Sequence, residues 1–165
     1  MQDKTPIMVV DDDEIILLAL KETLSLEGYR VHTFTEPPKA LEALKTIPFA
    51  LIISDQRMGE YAGHEFLAEA KALQADAIRI LITGVLNPRT IIEALNAGEV
   101  FRFIPKPWIR SELVQHIKAS FDQYLALQKN KEILEDLRRT NKALQDQNQD
   151  LLHRLSKLKP LSNSY

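Results

Sequence analysis

The sequence predicts an α/β fold. The expected form is a doubly wound (βα)5 parallel sheet in flavodoxin-like order 2-1-3-4-5, with a long C-terminal helix forming a parallel coiled coil. Three observations carry this. Short apolar runs alternate with amphipathic segments five times before residue 120. The runs are not broken by polar alternation, as expected of strands covered on both faces. Finally, all five Gly and seven of the eight Pro lie at or before Pro107, and neither residue occurs from Trp108 to Lys159. A stretch so free of helix breakers reads as one long helix.

Pro6–Val10 is a short buried-strand pattern, followed by helical spacing through Ile15, Leu18 and Leu24. Tyr29–Phe34 reads as a second strand, and Pro37–Lys45 as a helix opened by proline. Phe49–Ser54 is a continuous apolar strand. A loop then crosses Gly59 and Gly63 before a helix from about His64 to Leu73. Ile78–Ile82 is a fourth strand, Arg89–Asn96 a helix stopped at Gly98, and Phe101–Ile104 a short fifth strand. Parallel strands joined by helices require right-handed crossovers, and five strands favour the flavodoxin-like order over the Rossmann one.

The tail follows a heptad. With Leu127 at position a, the seam runs Leu127, Asn130, Leu134, Leu137, Asn141, Leu144, Asn148, Leu151, Leu155 and Leu158. The spacings alternate three and four throughout, and Asn at the a positions 141 and 148 favours parallel two-stranded pairing in fixed register. A homodimer through this helix is therefore expected, against the alternative of a single helix folded back on its own domain. Residues 160–165 read as a flexible end.

Composition narrows the function. The 165 residues carry 21 Lys+Arg against 23 Asp+Glu, and 45% are hydrophobic, enough to bury a core. Residues 1–118 hold 13 basic and 17 acidic groups, and the remainder 8 and 6. The tail is too dilute in charge to argue for direct nucleic acid binding. Zero Cys excludes disulfide frameworks, thiolate zinc sites and cysteine nucleophiles. No apolar run suits a signal peptide or a membrane span, so no membrane partner and a cytoplasmic location are expected.

Polar residues gather where strands run out: Asp11-Asp12-Asp13, Asp55, Thr83 and Lys106. In an open α/β sheet the crevice at the strands' carboxyl ends is the binding site, and the order 2-1-3-4-5 makes the first and third strands neighbours. Asp11, Asp12 and Asp55 should meet there. Clustered carboxylates repel unless a hard divalent cation with oxygen ligands relieves them, and Mg²⁺ fits, with Mn²⁺ an expected substitute. A metal, a cation and a hydroxyl around one carboxylate suit phosphoryl transfer onto an Asp. Each residue has a blander use: Asp11–Asp13 as a helix cap, Asp55 as a turn cap, Thr83-Gly84 as a strand terminus. Four polar elements at four strand ends make those separate explanations the poorer one. The four His (32, 64, 116, 153) are scattered and form no ligand spacing.

The motifs V-V-D-D at 9–12, S-D-Q-R-M at 54–58, Gly63, I-T-G at 82–84 and K-P at 106–107 resemble a response-regulator receiver domain of bacterial two-component signalling. The resemblance covers about residues 5–120. It implies a receiver domain over 1–118, with a coiled-coil helix continuing over 119–159. It implies Asp55 as phosphoacceptor for a histidine kinase, a phosphotransfer protein or a small donor. Asp12 falls on the direct Mg²⁺ ligand, Asp11 on its companion, and the Arg57 backbone carbonyl on a further ligand. Thr83 matches the switch hydroxyl and Phe103 the aromatic switch. Lys106 matches the phosphoryl-contacting lysine, whose bond to Pro107 is normally cis. The chain is thus expected to be a switch and not an enzyme, relaying phosphorylation through a dimeric helix to an output domain or effector beyond residue 165. One helix over 111–158 would extend ~70 Å at ~1.5 Å per residue.

Two departures stand out. The loop after the acceptor usually reads M-P but here is Met58-Gly59, which implies a looser loop. Phe103 lacks the hydroxyl of the commoner Tyr, so a switch there must act by packing. Two rival functions are a phosphorylation-independent dimerisation scaffold and an Asp-nucleophile, Mg²⁺-dependent phosphatase of the haloacid-dehalogenase kind. The latter needs a further acidic motif after its lysine, and between Lys106 and the heptad stretch only the isolated Glu112 and Asp122 occur.

Overall fold

The computed structural model describes residues 5–84, 87–96 and 98–158; the sequence's flexible end, 160–165, lies outside them. The elements run β1 (Ile7–Val10), α1 (Glu14–Leu26), β2 (Val31–Phe34), α2 (Pro37–Leu44), β3 (Leu51–Asp55), β4 (Arg57–Met58), β5 (Tyr61–Ala62), α3 (Gly63–Leu73), β6 (Ile78–Thr83), α4 (Pro88–Asn96), β7 (Arg102–Pro105) and α5 (Arg110–Leu158). Five of the strands form a parallel sheet in the order β2-β1-β3-β6-β7. This is the flavodoxin-like order read from the sequence. The chain divides into two compact units, Met1–Leu125 and Ala126–Tyr165.

Side-chain alternation along each strand builds the first unit. Ile7 and Val9 of β1, Leu51 and Ile53 of β3, and Ile80 and Ile82 of β6 join Leu17, Leu20 and Leu24 of α1 and Leu113, Ile117 and Phe121 of α5 in one core cluster. Met8, Val10, Ile52 and Leu81 join Ala40 and Leu44 of α2, Phe66, Leu67 and Ala70 of α3, and Ala94 of α4 in the other. Both faces are covered, which explains why β1 and the Leu51–Ile53 stretch of β3 are apolar on either side.

Two expectations need correction. The buried stripe of α1 is Leu17, Leu20 and Leu24, whereas Ile15 and Leu18 are 78% and 58% exposed. Apolar residues occupy positions 15–20 without a break, so the spacing left the inward face of the helix undecided. The loop read across Gly59 and Gly63 contains a small hairpin. β4 and β5 pair antiparallel, Met58 opposite Tyr61, around a two-residue turn of Gly59 and Glu60. Gly59 takes φ +62°, and no described non-glycine residue has a positive φ. That fits a type II′ turn, which wants Gly at its first central position and excludes a proline with φ near −65°.

The second unit is the continuation of α5. Its seam residues face solvent: Leu127, Leu134, Leu137, Leu144, Leu151, Leu155 and Leu158 are all exposed, as are Asn141 and Asn148. None of the described helices is long and apolar enough to cross a membrane.

Candidate functional site

Strand register places the site. Val10 lies opposite Ser54, Asp55 opposite Ile82, and Thr83 opposite Pro105. The chain therefore leaves β1, β3, β6 and β7 at a common level, and Asp11, Asp55, Thr83 and Lys106 stand at or just past those ends.

Oxygens of Asp11, Asp12 and Asp55 lie within 4.8 Å of one another. Asp11 is 3% and Asp55 9% exposed, and Asp12 faces solvent. The Lys106 ammonium lies 2.6 Å from Asp55 Oδ1 and 3.5 Å from Asp11 Oδ2. The other oxygen of each carboxylate accepts a backbone N–H, from Arg57 to Asp55 Oδ2 at 3.0 Å and from Asp13 to Asp11 Oδ1 at 2.9 Å. Asp13 itself does not join the group. It caps α1, its Oδ1 accepting the Ile15 N–H, so the capping reading holds for this one of the three consecutive acids.

These neighbours set the titration behaviour. Burial pushes the Asp11 carboxyl above the ordinary carboxylate value, with the Asp55 charge adding to it, despite the Asp13 N–H and Lys106 pulling the other way. For Lys106, burial works against the charge, yet the hydrogen bonds and charges of Asp55 and Asp11 outweigh it and raise its value. The ammonium therefore stays charged at neutral pH. Oxygen donors alone, crowded and acidic, fit a hard divalent cation such as Mg²⁺.

The remaining residues stand around this group. Thr83 is buried at the end of β6, and its carbonyl accepts the Lys106 N–H at 2.9 Å. The Lys106–Pro107 peptide is cis, as the resemblance implied. Phe103, half-buried on β7, borders a cavity of about 460 Å³ also lined by Gln56, His64, Thr83, Asn87 and Ile91.

Gly63, one of the motif residues, has a steric role that the sequence does not announce. A Cβ there would collide with the Asp55 carbonyl oxygen and lie 2.8 Å from Leu81 Cδ1, so the start of α3 can rest on the Asp55 peptide only if residue 63 is glycine. Also missed was the contact of Gln56 Nε2 with His64 Nδ1 at 3.0 Å. No spacing rule announces it, because the two side chains meet across the β4–β5 turn.

The family model for the response regulator receiver domain matches residues 7–118. The hydrogenase transcriptional regulatory protein HoxA of Cupriavidus necator is 32% identical over 123 residues, covering 74% of this chain and 25% of that protein. The chain thus spans about a quarter of the length of this curated relative. A solved structure described as adenylate cyclase from Rhodopirellula baltica aligns with TM-score 0.75 and 34% identity, covering 80% of this chain and 98% of that one. A CheY-like response regulator receiver domain from Methanospirillum hungatei aligns with TM-score 0.70 and 30% identity, covering 74% and 97%.

Proposed function

The chain belongs to the response-regulator receiver domain family, and from that premise we propose that it is a phosphorylation-dependent switch that accepts a phosphoryl group on Asp55. The observation that carries this reading is the Lys106 ammonium lying between Asp55 and Asp11, with Thr83 buried at the neighbouring strand end. A carboxylate oxygen of Asp55 attacks phosphorus of a phosphohistidine on a kinase or phosphotransfer protein, or of a small acyl phosphate. The P–N or P–O bond breaks, and its electron pair leaves with the imidazole or carboxylate. Asp11, Asp12 and the Arg57 carbonyl, together with Asp55, would hold Mg²⁺, which when bound supplies positive charge to the phosphoryl oxygens. Lys106 adds a fixed charge on the same oxygens and Thr83 a hydroxyl donor.

Drawing Thr83 and Lys106 toward the new oxygens alters β6 and β7, and with them the surface of α4, β7 and the first turns of α5. The cavity beside Phe103 gives its ring room to turn inward, a switch by packing alone. The output helix then acts as a dimer with a second copy of the chain. Its orientation follows from the seam. In a parallel, in-register pair, Asn130, Asn141 and Asn148 each face their own copy. In a full-length antiparallel overlap they face Leu155, Leu144 and Leu137, leaving three polar groups against leucine. What lies at the far end of the relay differs among the similar proteins, one called a transcriptional regulator and one an adenylate cyclase. A cytoplasmic location with a histidine kinase partner accords with this reading.

Beryllofluoride, a phosphoryl mimic, tests it. With Mg²⁺ present, ¹⁹F NMR should give one protein-bound signal in the wild type and none in Asp55→Asn or after chelation. No bound signal in the wild type would overturn the reading.

A further inference from the structure

Arg79 is unusual for a residue near the start of a central strand. It is 8% exposed, and the sequence around it is otherwise apolar. Burial pulls its guanidinium below its ordinary value, so the cation must be held by something. Four hydrogen bonds hold it, and all end on main-chain carbonyls: Nε on Glu99 at 2.8 Å, Nη2 on Gly98 at 3.1 Å, and Nη1 on Ala77 at 2.8 Å and Ala75 at 3.2 Å. Only the planar fork of an arginine offers that many directed donors.

The carbonyls belong to two different connections. Ala75 and Ala77 lie between α3 and β6, and Gly98 and Glu99 between α4 and β7. At that end α4 closes with Gly98 N–H on Leu95 O and Glu99 N–H on Ala94 O, with Gly98 at φ +65°. The two carbonyls that follow this helix C-terminus, of Gly98 and Glu99, accept from a buried cation, the sign of charge that the helix dipole favours there. At the other end of α4, which begins at Pro88, Asn87 and Arg89 are exposed, and among the described residues the side-chain hydrogen bonds there are local: the Arg89 N–H donates to Asn87 Oδ1, and the Arg89 and Glu93 side chains pair. One strand therefore carries Thr83 at its site end and the anchor of α4 at its other end.

We propose that Arg79 is the fixed pivot of α4. When the site is occupied by a phosphoryl group, the helix shifts at its Pro88 end while its Asn96 end stays held by the guanidinium. This deepens the switch reading above and rests on it. Arg79 is a positioning residue: it touches neither Asp55 nor Lys106, and it decides where the change in the sheet becomes a change at the surface.

Hydrogen exchange on the full chain, with and without beryllofluoride and Mg²⁺, tests this. In the wild type the exchange change should fall on peptides spanning 84–92, with less than a twofold change across 94–101. Arg79→Met should speed exchange across 94–101 on the order of tenfold before any ligand is added, and should spread the beryllofluoride response into that segment. Its phosphorylation rate at saturating acetyl phosphate should stay within about twofold of wild type, because the site chemistry is untouched. Arg79→Lys, which keeps a charge and fewer donors, should fall between the two. A wild-type response across 94–101 as large as that across 84–92 overturns the pivot, with no variant needed. So does an Arg79→Met protein with wild-type protection and response. If the same wild-type sample shows no bound ¹⁹F signal, the receiver reading falls and the pivot with it; a bound signal with a uniform response sinks the pivot alone.

Discussion

Asp11 is 3% exposed and lies beside Asp55 and Lys106, and its behaviour with pH follows from that placement. Its folded value is raised, so it favours the folded state only while protonated. That contribution is full below the ordinary carboxylate value and is lost as pH rises through the raised one. Asp11→Asn keeps an acceptor for the Asp13 N–H and removes the charge. In a chelator, this variant should melt above the wild type near neutral pH, and the gap should close as pH falls through the carboxylate range. Thermal unfolding between about pH 8 and pH 4 checks both; a gap that grows on acidification would contradict the assignment. The same variant should bind Mg²⁺ more weakly, since a ligand is lost. At Gly63 the constraint is steric. Gly63→Ala must move either α3 or the acceptor's peptide, at a cost of about 1–3 kcal/mol measurable by urea unfolding, with slower phosphorylation of Asp55. Arg57 follows the acceptor by two residues and is exposed on the cavity wall. Arg57→Ala should alter the half-life of the phosphoryl group, and an unchanged half-life would remove Arg57 from the chemistry.

Among the elements, the strands were the most legible, because doubly covered strands are apolar on both sides and end abruptly at Asp11, Asp55, Thr83 and Lys106. The face of α1 was not legible, since a helix apolar at six consecutive positions has no unique stripe. The β4–β5 turn was hidden for another reason: two two-residue strands are too short for any periodicity, and only Gly59 hinted at a positive φ. The role of Arg79 was not legible, because its partners are backbone carbonyls, which carry no residue-type signature, and those of Gly98 and Glu99 lie 19 and 20 residues away. On the output helix, the polar layers set the expectation. Replacing Asn141 and Asn148 by Leu should tighten self-association and relax its register, seen as a lower dimer dissociation constant with mixed cross-linking patterns. Leu144→Asp should shift the chain to monomer in sedimentation, and a variant still fully dimeric would remove the seam from the interface.

For the molecule as a whole, site and switch share one sheet. Asp55, Lys106 and Thr83 sit at or just past strand ends, and the strands that carry them also bear the helices whose surfaces would change. The order of five strands could be read before any coordinates, and with it the meeting of Asp11, Asp12 and Asp55. The distances could not, because the bridging position of Lys106 depends on where its long side chain comes to rest beyond β7. The central claim is that Asp55 takes a phosphoryl group, and intact mass tests it most directly. After incubation with Mg²⁺ and acetyl phosphate, the wild type should gain about 80 Da, one phosphoryl group, and Asp55→Asn should gain nothing. A gain retained in Asp55→Asn, or a wild type that stays at its unmodified mass, would contradict it.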